Sequence, residues 1–245
     1  MKLFSRALLG VALVGAASSA SAALLKFEAA YGLADATAAE AQFLGNSHNQ
    51  TTETFNGFAN TGQVGSSDQD SWIQAAPSFD TAVGTFSMQS PEASPDGNDV
   101  NPGDLMIEDA TTGEFGRSDN YDSQWLDSND ADSVLWDILD GQYNAFGFYI
   151  SDANDQGAAL TLEFNDGTTE TLDLTSPLRN GNIAYITLFS DVYFSNASLV
   201  FNNGVGDNDG WGIDNVTLAK VPEPGTLALF GLGMMGLVIA RRRKA

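Results

Sequence analysis

The residues best able to do chemistry in this 245-residue chain are oxygen donors. Asp and Asn recur at loop spacing in Asp96-x-Asn98-Asp99-x-Asn101-x-x-Asp104, in Asp152-x-Asn154-Asp155 and in Asp207-x-Asp209-Gly210. Each set offers the hard oxygen ligands that calcium takes, so a structural calcium is the one cofactor this composition invites. None is a full EF-hand loop, because the Glu that closes such a loop is missing. The stretch from Asp207 to Asp214 is the favoured site, with Asp207, Asp209 and Asp214 as ligands. The competing reading is a set of acidic, solvated turns that hold no metal. Trp72, Trp125, Trp136 and Trp211 could form sugar-stacking platforms, although large aromatics more often fill a core.

Other chemistries fail on counting. The chain has no Cys, which removes disulfides, thiolate metal sites and a Cys nucleophile. Its single His, His48, lies in the polar stretch Gly45–Gln50 with no Ser/Asp partner motif. No nucleophile elbow, phosphate-binding loop or dinucleotide fingerprint occurs. The 32 acids guarantee close carboxylate pairs somewhere, but no catalytic signature accompanies them. Ten Lys and Arg against those 32 acids leave a net charge of -22, which speaks against nucleic acid as a partner. Residues 23–220 hold only four of the basic side chains and every acid except Glu223, a net near -27.

Strands must position these groups. Apolar residues at helical spacing occur only in short windows near Thr37–Phe43 and Val134–Leu139. Strands are expected instead at Leu24–Ala29, Glu53–Phe58, Phe79–Met88, Tyr143–Ser151, Ala158–Asn165, Thr168–Leu174, Ile183–Phe189, Ser198–Asn202 and Trp211–Leu218. Short strands joined by Gly, Asn and Asp turns predict an all-β chain: a single antiparallel β-sandwich, jelly-roll-like, over residues 23–220. Phe146, Phe148 and Ile150 share one parity, which predicts a half-buried strand. In the 158–174 hairpin a three-residue loop sets Leu160 opposite Leu172, whereas a two-residue loop would oppose Leu160 to Asp173. The first keeps the apolar faces together. At the end of the chain Trp211 and Ile213 share one parity and Val216 and Leu218 the other, so a bulge is expected at Asp214-Asn215, with the Asp side chain taking up exposed backbone N–H groups. Residues 60–70 and 90–133 read as long acidic surface loops, the latter anchored by Trp125 and Leu126.

The two ends carry a different signal. Residues 1–22 place Lys2 and Arg6 before the apolar run Ala7–Ala17 and finish on Ala20-Ser21-Ala22, the three parts of a secretory signal peptide with cleavage after Ala22. At the other end Val221-Pro222-Glu223-Pro224 precedes the uncharged run Leu227–Ala240 and the basic cluster Arg241, Arg242, Arg243 and Lys244. As a helix that run would be about 21 Å long, a marginal span of a hydrocarbon core of about 30 Å. The flanking basic side chains can snorkel and would hold their end on the cytoplasmic side.

This three-part tail resembles the PEP-CTERM sorting signal of Gram-negative bacteria. The resemblance covers about 25 residues plus the matching signal peptide. It implies that Pro222, Glu223 and Pro224 are read by an exosortase and that Arg241, Arg242, Arg243 and Lys244 stop transfer through the membrane. The competing reading is a plain C-terminal membrane anchor. Residues 183–218, ending WGIDNVTL, also resemble the closing strands of PEP-CTERM passenger domains and lectin-like jelly rolls. The expected protein is non-enzymatic and exported. It is processed by signal peptidase and exosortase, held transiently in the inner membrane by its tail, and then delivered to the cell surface or the extracellular matrix. The alternatives are an exopolysaccharide-binding module and a secreted hydrolase.

Overall fold

A computed structural model describes residues 25–62, 71–91, 103–112, 123–129, 131–141, 143–153, 159–164, 168–174, 182–194, 197–202 and 210–221. One helix, α1 (Leu33–Asn46), follows the first strand. The strands are β1 (Leu25–Tyr31), β2 (His48–Glu53), β3 (Gln74–Ala76), β4 (Ser78–Thr81), β5 (Gly84–Ser90), β6 (Leu105–Glu108) and β7 (Trp125–Asp127). They continue as β8 (Ser133–Ile138), β9 (Ala145–Ser151), β10 (Ala159–Glu163), β11 (Thr169–Asp173), β12 (Ile183–Ser190), β13 (Ser198–Asn202) and β14 (Gly212–Lys220).

Two antiparallel sheets result. The eight-stranded sheet runs β1-β12-β9-β14-β7-β6-β3, with β2 added on β14; the six-stranded sheet runs β11-β10-β13-β8-β5-β4. From β7 onward the pairings nest: β7 with β14, β8 with β13, β9 with β12 and β10 with β11, alternating between the sheets. A ribbon paired with itself in this way winds across both sheets and brings their inner faces together. Aromatic rings fill the space between. Trp136 of one sheet meets Phe146 of the other at 5.4 Å, Phe148 meets Phe201 at 5.7 Å, and Trp211 stacks on Phe201 at 4.6 Å. Edge-on and offset-stacked rings of this kind add to the burial of their large apolar area.

The outer face of the eight-stranded sheet is also covered. α1 has Ala36, Glu40 and Phe43 on one face, at the i, i+4, i+7 spacing of a helix stripe. Ala36 and Phe43 are buried against Ala145 and Tyr149 of β9, Ile183 and Tyr185 of β12, and Ala219 of β14. All of β9 is therefore buried, where the sequence predicted burial of one face only. Gly147 has no side chain because Tyr185 needs the room: a Cβ there would lie 2.5 Å from the Tyr185 hydroxyl.

Several expectations hold. Leu160 pairs with Leu172 and Phe164 N–H donates to Thr168 C=O, which leaves residues 165–167 as the three-residue connection. The β14–β9 register shifts between Asp214 and Thr217, and Asn215 has φ 50, so the bulge lies at Asp214-Asn215. The strand expected at Glu53–Phe58 instead ends at Glu53, where the chain turns and Phe55 takes φ 55. The expected strand Phe79–Met88 is a hairpin, β4 and β5, turned at Ala82-Val83, with Gly84 at φ 126 opening β5. The 134–139 window is strand β8, whose partners on both sides overrule its short helical period. Residues 90–133 are not all loop: β6 and β7 are buried strands inside the eight-stranded sheet. No helix among the described residues is long and apolar enough to cross a membrane. The signal peptide and the 227–240 run lie outside the described residues.

Candidate functional site

Polar groups come together where the tail leaves the sandwich and in the layer under α1, as they also do around Asp127, Ser128 and Asn129 at the end of β7. At the exit, β14 ends at Lys220 and Val221 follows. The side chain of Asn144, which is buried just ahead of β9, grips the backbone there. Val221 N–H donates to Asn144 Oδ1 at 2.8 Å, and Asn144 Nδ2 donates to Val221 C=O at 3.3 Å and to Ser190 C=O at 3.1 Å. Its main chain is equally engaged, with Asn144 N–H on Ala219 C=O and Ser190 N–H on Asn144 C=O. One amide thus ties the ends of β12 and β14 and fixes the last residue before the tail.

Under α1, the bulge carries Asp214 and Asn215 into contact with the helix. Asn215 N–H donates to Asp214 Oδ1 at 2.6 Å and Ser123 Oγ donates to Asp214 Oδ2 at 3.1 Å. Glu40 of α1 receives Tyr149 O–H at 2.6 Å and Asn215 Nδ2 at 3.2 Å. Asp214 is 3% exposed. Burial pushes its carboxyl up to about 7, the nearby Glu40 and Glu53 add to this, and the Asn215 and Ser123 hydrogen bonds oppose it. Tyr149 is raised to about 12, mainly by burial and then by its hydrogen bond to Glu40. Beside this layer a groove of about 660 Å³ runs between α1 and strands β1 and β12, with Glu28, Asp35, Gln42 and Asn46 around Phe43 and Phe189.

Of the residues singled out from sequence, Val221 lies at the tail exit and Asp214 under α1. Ala20, Ala22, Pro222, Glu223, Pro224, Asp207, Asp209, Arg241, Arg242, Arg243 and Lys244 lie outside the described residues. Among the described residues no three His, Asp or Glu side chains converge where a metal ion could sit. Trp125, Trp136 and Trp211 are core residues, not platforms, and Trp72 is half-buried. His48 opens β2, paired with Lys220, and is exposed. Sequence reasoning missed Asn144, whose partners lie 46 and 77 residues away and leave no local trace. Glu40 was missed as well, although a lone acid in the apolar stripe of an Ala-rich helix is a signal that marks the residue, if not its partners.

The segment that follows the Asn144 clamp matches a known motif. Residues 220–244 match the model of the PEP-CTERM protein-sorting motif. The chain carries a PEP-CTERM sorting signal. The motif implies export, processing by an exosortase and sorting to the cell surface, and it begins at the last residue of β14. No curated protein matches the chain. Among solved structures, TmCBM27, a carbohydrate-binding module described by its specific mannan recognition, is 11% identical with a TM-score of 0.25, covering 82% of this chain and 100% of its own. A family 11 carbohydrate-binding module from Clostridium thermocellum, in complex with a β-1,3-1,4-mixed-linked tetrasaccharide, is 13% identical with a TM-score of 0.19, covering 71% and 98%. Similarity this low bears on neither ligand nor mechanism.

Proposed function

We propose that this PEP-CTERM protein is a non-enzymatic surface or matrix protein. Its jelly-roll-like sandwich is exported behind the signal peptide of residues 1–22, held in the membrane by 227–240 and released from that helix by exosortase. The observation that carries the reading is the join: the sorting motif starts where β14 ends, so the described sandwich lies wholly ahead of it as cargo. A structural calcium, if bound, would be held by Asp207, Asp209 and Asp214. The buried Asp214 would take such an ion or a proton, not both. Removing residues 222–245 tests the reading. The shortened chain should leave the cell envelope for the medium or periplasm with an unchanged melting temperature. Surface display without the tail would overturn it.

A second reading, carbohydrate binding, is favoured by the groove beside α1, where carboxylates and amides surround Phe189. Such groups can hydrogen-bond sugar hydroxyls around an apolar ring face. A glycan array that includes the host's own exopolysaccharide, run with Gln42→Ala and Phe189→Ala, tests it. Binding that both changes leave intact would remove the groove from consideration. Turnover on a hydrolase substrate panel would overturn the non-enzymatic reading.

A further inference from the structure

Both ends of the described chain leave the sandwich at the same place. β1 begins at Leu25 opposite Ser190, Ala145 lies between Phe189 and Ala219, and Lys220 lies beside His48. Leu25 and Lys220 therefore share one end of the eight-stranded sheet, three strand spacings or about 14 Å apart. Beyond each lies an apolar run of the sequence, Ala7–Ala17 on one side and Leu227–Ala240 on the other. The connections are limited: at most about 29 Å of chain from Ala17 to Leu25 and about 22 Å from Val221 to Leu227. Wherever these runs enter lipid, this end of the sandwich cannot move far from the bilayer. With both tethers in place its freedom to turn away is restricted.

The surface at that end also differs from the rest. Four large apolar side chains are exposed among the described residues, and three of them, Leu139, Val192 and Tyr193, lie in the connections β8–β9 and β12–β13 at this end. The fourth, Leu33, opens α1 at the opposite end, where Gly32 N–H meets Ile183 C=O. Lys26, His48 and Lys220, the basic side chains among the described residues, are at the exit end too. Lys220 Nζ sits 4.8 Å from the centre of the Tyr193 ring. An aromatic ring with an apolar body and a cation beside it suits the boundary between lipid and water. Asp140 and Asp191 stand at the same end, so it is not a basic patch, and lipid charge is not what would hold it.

We propose that this end is a membrane-contact surface that sets Leu139, Val192 and Tyr193 into the headgroup layer of a phospholipid bilayer while the precursor is anchored. The proposal rests on the reading of the 227–240 run as a membrane segment and adds the orientation of the body. The seat would keep Pro222–Pro224 at the interface, within reach of a membrane-embedded protease.

The absence of Cys makes single reporters simple. The full chain, reconstituted into phosphatidylcholine vesicles, carries a fluorophore on Val192→Cys or Leu33→Cys, read with a headgroup-nitroxide lipid, or on Leu232→Cys, read with an acyl-chain nitroxide lipid. The Val192 reporter should be quenched several-fold more than the Leu33 reporter, in neutral and anionic vesicles alike and at raised ionic strength. A His48→Cys reporter should lose most of its quenching when Leu139, Val192 and Tyr193 are all changed to Ser. Equal quenching at Val192 and Leu33 while Leu232 is quenched would overturn the contact and leave the sorting-tail reading standing. No quenching at Leu232 would overturn both.

Discussion

Asp214→Asn should flatten the pH dependence of stability. In the native chain burial pushes the Asp214 carboxyl up to about 7, from the 3.8 of an exposed Asp. Between those values the folded state holds a proton that the unfolded state has released, so stability falls as pH rises through this window. The full contribution is present below about pH 4 and is gone above about pH 7. Three pH units at about 1.4 kcal/mol each put the upper bound on the order of 4 kcal/mol. Asn keeps the geometry: its Oδ1 can accept Asn215 N–H and its Nδ2 can donate to Ser123 Oγ. The measurement is urea unfolding at intervals from pH 4.5 to pH 8. The native chain should lose more stability across that range than the variant by a large part of the bound. Repulsion within the acidic body contributes to both and cancels in the difference. Parallel curves would refute the placement of a neutral, buried Asp214 beneath α1.

Asn144→Ala should cost about 1–3 kcal/mol, read as a lower urea midpoint, because Val221 and Ser190 lose their partners at a buried position. Trp136→Ala should cost about 3–5 kcal/mol by the same assay, since the ring joins Phe86 on its own sheet to Phe146 on the other. Calcium, if held at Asp207, Asp209 and Asp214, should raise the melting temperature more than equal magnesium does, and more at pH 8 than at pH 5.5, where Asp214 keeps its proton. Equal shifts from calcium, magnesium and matched sodium chloride would mean screening alone.

The β10–β11 register and the Asp214-Asn215 bulge were readable in the sequence because apolar parity forces them. A slip of one residue turns every Leu to the wrong face. β2 could not be read. Its sequence HNQTTE has no apolar residue, and it is a strand because β14 offers an edge, with Thr52 and Thr217 joined through their hydroxyls at 2.8 Å. β6 and β7 are too short to show a period and sit among Asp- and Ser-rich stretches. Only neighbours far along the chain make them core strands. β9 looked half-buried because nothing in a strand's own sequence tells that a helix covers its second face. At the candidate sites, Asp214 and Val221 stood out through local pattern. Their partners Ser123, Glu40 and Asn144 come from distant segments that the fold alone brings together.

The central claim is that a folded sandwich carries a processed sorting tail. It is tested most directly by the intact mass of the mature protein from cells with and without exosortase, for the native chain and for the Pro222→Ala, Glu223→Ala double variant. The account predicts trimming near residue 222 only for the native chain in exosortase-positive cells. The double variant should keep its tail and melt as the native body does, because both changes fall beyond the Asn144 clamp. Normal trimming of the double variant, or trimming without exosortase, would contradict the account.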